Sequence, residues 1–169
     1  MSFKNKLITW LINRKYSELK RNIQAVNLAE VKTAGILWRI DDHEVFKSLV
    51  NQLKEKGINV SSLCFADQPG SLQGETVFSP TDFSFFGKLK NSEVETFIDQ
   101  KLDLLIDISL ATEVEIQYVR ALSKAKFKAG WSEASPDYFD LSIDISNNKK
   151  AAYLAEQLIH YLNEINKKQ

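Results

Sequence analysis

Four short apolar runs, separated by stretches of helical spacing, constrain this chain more than anything else in it. They are 33–40 (TAGILWRI), 58–65 (INVSSLCF), 102–110 (LDLLIDISL) and 127–131 (FKAGW). Each suits a strand and is short for a buried helix. After the first run, Val45, Phe46, Leu49, Val50 and Leu53 recur at helical intervals; after the third, Val114, Tyr118, Val119 and Leu122 do the same. A last helix over 149–166 gathers Leu154, Leu158 and Leu162 on one side. Strands that alternate with helices are joined by crossovers, and crossovers place strands in parallel. The expected fold is therefore α/β: a three-layer, Rossmann-like, mostly parallel sheet of five or six strands. In 138–145, Phe139, Leu141, Ile143 and Ile145 alternate with Asp140, Ser142 and Asp144, the pattern of a half-exposed edge strand that could run antiparallel.

Local signals set the predicted helix boundaries. Asp41 with Glu44, Ser92 with Glu95, and Thr112 with Glu115 each fit the capping-box spacing. Gly57 stands where a helix C-terminal glycine belongs. Residues 67–90 are the least regular stretch, with two of the three prolines and a short strand expected near 75–79.

The first 27 residues read as an amphipathic helix ahead of a single α/β domain over 28–169. Phe3, Leu7, Trp10 and Leu11 fall on one stripe, widened by Ile8 and Ile12. Lys4, Lys6, Arg14, Lys15, Lys20 and Arg21 oppose only Glu18, so residues 1–22 carry +5 and the rest of this neutral chain carries −5.

Several classes are set aside by composition. At 169 residues and 44% hydrophobic, the chain suits one folded domain of ordinary size. The apolar stretch Leu7–Ile12 is too short for an export signal core, and Arg14 and Lys15 follow it directly, so the cytoplasm is the expected compartment. Cys64 is the lone cysteine, so no intrachain disulfide forms, and with two histidines it cannot build a usual Cys/His zinc site. A buried thiol is expected. The phosphate-binding glycine motifs, the nucleophile elbow and the H-E-x-x-H helix are missing. No cofactor is expected, and neutral net charge does not favour nucleic acid as a partner.

Three places stand out as candidate sites. Asp41 and Asp42 follow the first strand, and Asp107, with Ser109 beyond it, ends the third. Ligands of open parallel sheets bind past the carboxyl ends of strands, so these residues would converge on one ligand, Mg²⁺ among the options. The plain alternative is helix capping and local pairing. His43, in a first helical turn beside the acids, reads as a solvated residue. The second place is the Phe-rich loop 76–90, with Phe78, Phe83, Phe85 and Phe86. Its rings either extend the core or form a partner surface. The third is the basic helix, where Lys4, Lys6, Trp10, Arg14 and Lys15 suit an anionic membrane surface or a protein partner, unless the helix simply docks on the domain.

The acids, IDD (40–42) and LLID (104–107), resemble the acidic pair and phospho-acceptor of a response-regulator receiver domain. That resemblance implies a phospho-receiver, although the lysine-proline pair of that family is absent after FKAGW. Along nearly the whole chain, KTAGILW (32–38), LDLLIDISL (102–110), QYVRALSKAKFKAGW (117–131), DYFDLSIDI (137–145) and LIHYLNEIN (158–166) resemble a Bacteroidota family of uncharacterised proteins, a domain of unknown function. It implies a bacterial cytoplasmic protein and carries over no catalytic residue. A segment of about thirty residues, Asp103–Asp107 with the following helix and Lys128–Trp131, is similar to the N-terminal half of heptosyltransferase-type glycosyltransferases; this implies a half-domain without catalysis. The resulting expectation is a non-enzymatic accessory or binding module using the basic helix, the Phe-rich loop, or both. The alternative is a small enzyme or phospho-receiver-like domain using the strand-end acids.

Overall fold

A computed structural model describes residues 1–166. Its sheet has six strands in the order β3-β2-β1-β4-β5-β6. These are β1 (Thr33–Arg39), β2 (Asn59–Phe65), β3 (Val77–Phe78), β4 (Leu104–Asp107), β5 (Lys128–Gly130) and β6 (Leu141–Ser142). Every pairing is parallel. The chain starts at the centre with β1, steps outward through β2 to β3, then returns to β4 and steps outward the other way. This is the Rossmann strand order, with its reversal between β1 and β4.

The five helices are α1 (Phe3–Glu18), α2 (His43–Glu55), α3 (Ser92–Asp99), α4 (Val114–Leu122) and α5 (Ala151–Glu164). They divide between the faces because side chains alternate along a strand. Ile36 and Trp38 of β1 face one way, into a core shared with Phe46, Leu49 and Leu53 of α2 and Leu154, Leu158 and Leu162 of α5. Leu37 faces the other way, to α1, α3 and α4, with Leu63, Phe65 and Leu105. Trp38 is fully buried and its ring stacks on Phe46 with centroids 4.0 Å apart. Gly35 allows the close approach of the second layer: a Cβ there would meet Leu102 at 2.6 Å and Phe97 at 3.0 Å. Cys64 is buried, and loss of water pushes its thiol up to about 12.

Four expectations are corrected. The N-terminal helix ends at Glu18, not near residue 27; an extended stretch carries the chain to the short 3₁₀ turn Leu28–Glu30. There Asn27 turns inward, accepting the Ala29 N–H and donating to the carbonyls of Asn163 and Ile165. The edge strand pairs parallel and shrinks to Leu141–Ser142, because Asp140 is drawn into a bidentate ion pair with Arg21 and accepts the Lys128 N–H. None of the three capping boxes closes. The chain after β1 forms a 3₁₀ turn over Ile40–Asp42, and α2 starts at His43 with no side-chain cap. Asn91, not Ser92, caps α3 by accepting from Glu93 and Val94, and α4 begins at Val114 with no side-chain cap. Finally, Ile8 and Ile12 are the core residues of α1, whereas Phe3 and Trp10 face outward.

Candidate functional site

The carboxyl ends of β1 and β4, where the strand order reverses, are crowded with protein groups. Arg39 spans them. It donates to Glu113 Oε1 at 2.6 Å and to Asp67 Oδ1 at 2.9 Å, with its guanidinium over the Phe65 ring. Those carboxylates raise the Arg39 pKa against the opposing pull of burial. Asp107 lies deeper, fully buried. Its Oδ1 accepts from the Ser109 N–H at 2.8 Å and the Ser109 hydroxyl at 2.6 Å. Its Oδ2 accepts from Arg120 Nε at 2.7 Å. Arg120 is equally buried, donates to the Ala111 carbonyl and lies under the Phe139 ring. Leu110, between these groups, holds a φ of 55°.

Asp41 is exposed, and Asp42 is half-buried; burial pushes the Asp42 carboxyl up, with the Asp41 charge adding to it. Asp41 and Asp42 thus keep contact with solvent, whereas Asp107 is sealed inside. Among the described residues no three His, Cys, Asp or Glu side chains gather as metal ligands. The physical reason is that Asp107 already has a cation and two donors inside the protein. Lys128, also fully buried, donates to the carbonyls of Arg120 and Ala121 at 2.7 and 2.9 Å, closing the C-terminus of α4. Desolvation, reinforced by Arg21, pulls its pKa down to about 7 against the attraction of Asp140.

The opposite impression comes from α1 and the Phe-rich loop, which meet and leave aromatic rings in solvent. Ile8 and Ile12 pin α1 to α4 and the sheet. At roughly 1.5–3 kcal/mol for each buried side chain, this anchorage is strong enough to hold the helix down. Lys4 donates to the Pro80 carbonyl, and Lys15 donates to the Tyr118 hydroxyl at 2.8 Å. In the loop, Phe78 and Phe83 are buried, Phe83 against Tyr118. Gly87 lets the loop touch the helix: it has φ +78°, and a Cβ there would meet Ile8 N at 3.0 Å.

What remains outside is a set of aromatic rings, three of them in mutual contact and Trp10 two helical turns from Phe3 on α1. Phe3, Trp10, Phe85 and Phe86 are 56%, 54%, 66% and 72% exposed. Phe3 and Phe85 have ring centroids 5.5 Å apart, as do Phe85 and Phe86. Arg14 lies over the Trp10 ring at 5.4 Å. Lys6, Lys88 and Lys90 are exposed on the same two segments. The rings of the Phe-rich loop thus divide: Phe78 and Phe83 extend the core, and Phe85 and Phe86 are left exposed. Beside this surface, Phe86 also borders a groove of about 700 Å³ whose walls include Leu11, Leu19, Leu89 and Ile98.

Sequence reasoning missed Arg120, Lys128 and Arg39. The available signal was chemical: a charged residue inside an apolar run, such as Asp107 in LLIDIS or Lys128 in FKAGW, needs a partner. Nothing local identified Arg120 as that partner.

The strand order and the two helical layers define a Rossmann-like α/β protein whose first strand leads into acids rather than a glycine phosphate loop. The chain belongs to the family of unknown function DUF6913, whose model matches residues 4–165 and so takes in α1 as well as the sheet. No curated protein matches it. None of the described helices is long and apolar enough to cross a membrane.

Proposed function

We propose that this chain is a non-enzymatic binding module that docks on an anionic membrane surface through α1 and the loop tip Phe85–Phe86. One observation carries the reading: four exposed aromatic rings, on two segments locked together, are interleaved with cationic side chains. Burying a phenylalanine is worth roughly 1.5–3 kcal/mol, so rings held in water at a loop tip favour a surface that will cover them. Aromatic rings sit well at the headgroup level of a bilayer, and each Lys or Arg near an anionic surface adds about 1 kcal/mol.

The mode differs from the usual amphipathic-helix anchor. The apolar side of α1, Ile8 and Ile12, is already spent on the core. Contact falls instead to its outward side, Phe3, Lys6, Trp10 and Arg14, together with the loop tip. The anchor is thus shallow and reversible, and it sits on the cytoplasmic side, where a lone reduced thiol is at home.

Vesicle flotation of the full chain tests this. The chain is expected to float with phosphatidylglycerol-containing vesicles and not with pure phosphatidylcholine. Phe85→Ser with Phe86→Ser should abolish flotation without unfolding, since both rings are exposed. Lys6→Ala with Arg14→Ala should weaken it about thirtyfold, from about 1 kcal/mol per charge. Equal behaviour on neutral and anionic vesicles, or no effect of the loop variant, overturns the proposal. Deleting α1 is a poor test, because it uncovers the core around Ile8 and Ile12.

A further inference from the structure

Along β2, one strand edge is half covered. β2 pairs with β1 along its whole length, from Thr33↔Asn59 to Arg39↔Phe65. Its outer edge pairs with β3 only at Cys64 and Phe65. Among the described residues, no strand therefore lies beside Asn59–Leu63 on that edge.

The backbone groups left over follow from the strand's alternation. Asn59 N donates to Lys32 O, toward β1, whereas Cys64 N and Ala66 N donate outward to Thr76 O and Phe78 O. Val60 and Ser62 share the outward direction with Cys64. Among the described residues, no backbone partner meets either of them on that side. Both are half-buried rather than covered. Proteins usually guard such an edge with charge, proline, a bulge or a covering segment. The segment NVSSL has no charged residue and no proline.

The edge opens into a cleft of about 480 Å³ between the two helical layers. Phe46, Val50 and Lys54 of α2 line one side, and Thr96, Phe97 and Gln100 of α3 the other. Side chains do not fill the gap: Ser61 Oγ donates sideways to Gln100, and Ser62 Oγ to Glu75. The same edge already accepts an extended segment further along, where Thr76–Phe78 binds Cys64 and Ala66 through backbone bonds. Just before it the chain peels away through the turn Leu72–Glu75, with Gly74 at φ +80°.

We infer that the open edge of β2, Asn59–Leu63, is a docking site for an extended peptide that adds a strand beside β2 and prolongs the line of β3. The backbone supplies the affinity, through Val60 and Ser62, and the two cleft walls supply selectivity. A guest strand spanning five residues covers roughly 17 Å, at about 3.3 Å per residue. Its alternate side chains face Phe46, Val50 and Lys54 on one side and Thr96, Phe97 and Gln100 on the other. The site therefore selects apolar residues at every second position and polar residues between them. It shares no lining residue with the groove beside Phe86, and it rests on observations separate from those behind membrane docking.

Amide hydrogen exchange on the full chain is the first test. The Val60 and Ser62 amides should exchange at least tenfold faster than those of Ser61 and Leu63, which face β1. Uniform protection across 60–63 overturns the inference, because the edge would then be covered. The second test selects heptapeptides from a displayed library of alternating apolar and polar residues, then resynthesises them. Bound peptide should slow exchange at Val60 and Ser62, and N-methylation of its pairing amides should cost at least tenfold in affinity. Thr96→Arg, an exposed change on α3 that leaves the sheet intact, should reduce binding similarly. A library that yields no binder, or peptides indifferent to N-methylation, contradicts the proposal.

Discussion

Arg120 Nε lies 2.7 Å from Asp107 Oδ2, and neither side chain reaches solvent. The pair joins the end of β4 to the last turns of α4, across the position where a Rossmann-like sheet usually receives a ligand. Bonds to Ser109 and to the Ala111 carbonyl add to the pairing from inside the protein, while Arg120 Nη1 stays buried without a hydrogen-bond partner. The pair thus ties β4 to α4 from inside the protein. Removing one partner leaves the other charge buried and unpaired, which costs about 3–5 kcal/mol. Urea unfolding should show that loss for Arg120→Met. Adding Asp107→Leu to Arg120→Met should recover a large part of it. A loss below about 1 kcal/mol for Arg120→Met would show that the pair is not the internal contact described.

Lys128 gives the fold a pH dependence of definite sign. Its folded-state pKa is about 7, while an unfolded lysine titrates near 10.4, a value of about that size being usual. Between these values the unfolded chain holds a proton that the folded chain lacks. Stability from this group is fully present above the unfolded pKa and declines as pH falls toward 7. The expected span is on the order of 4 kcal/mol at about 1.4 kcal/mol per pH unit. Unfolding free energies of the wild type and Lys128→Met, compared from pH 7 to 10, should show the wild type gaining on the variant as pH rises. A difference that is flat across that range contradicts the assignment.

Gly87 and Gly74 share nearly the same backbone conformation, φ +78° and +80°, but only Gly87 has neighbours within 4 Å. An alanine at either site carries the left-handed penalty of about 1–2 kcal/mol. At Gly87 the new methyl also meets the backbone of Ile8 and Leu7. Gly87→Ala should thus destabilise more than Gly74→Ala, and it alone should weaken vesicle binding by loosening the loop from α1. Equal effects on stability and binding would remove the argument that helix and loop act as one surface.

The sheet was legible because each strand is an apolar run and each connecting helix has a clear spacing. The capping pattern failed as a boundary marker because its residue types also occur one or two positions from the real cap. Asn91 takes the cap of α3 with two backbone donors, beside a Ser92 that fits the pattern equally well. A related pairing formed where it was not sought, with the Ser79 N–H donating to Asp82 Oδ2 at the 3₁₀ turn Pro80–Asp82. For α1, apolar residues surround much of the helix, so spacing alone could not choose between the stripe with Phe3 and Trp10 and the one with Ile8 and Ile12. Only the tertiary docking decides that, and it decides which rings stay outside. Asp107 and Arg120 are thirteen residues apart, and only the turn from β4 into α4 brings them together.

Trp10 offers the most direct measurement of the membrane-docking claim. Trp38 and Trp131 are buried, so the surface contribution to intrinsic fluorescence comes from Trp10. Phosphatidylglycerol vesicles should shift the emission to the blue, and brominated lipid in those vesicles should quench it. Trp10→Phe should remove both responses, and salt should weaken them, since attraction between exposed charges is screened beyond about 10 Å at 0.1 M ionic strength. An emission spectrum unchanged by anionic vesicles at saturating lipid would contradict the account.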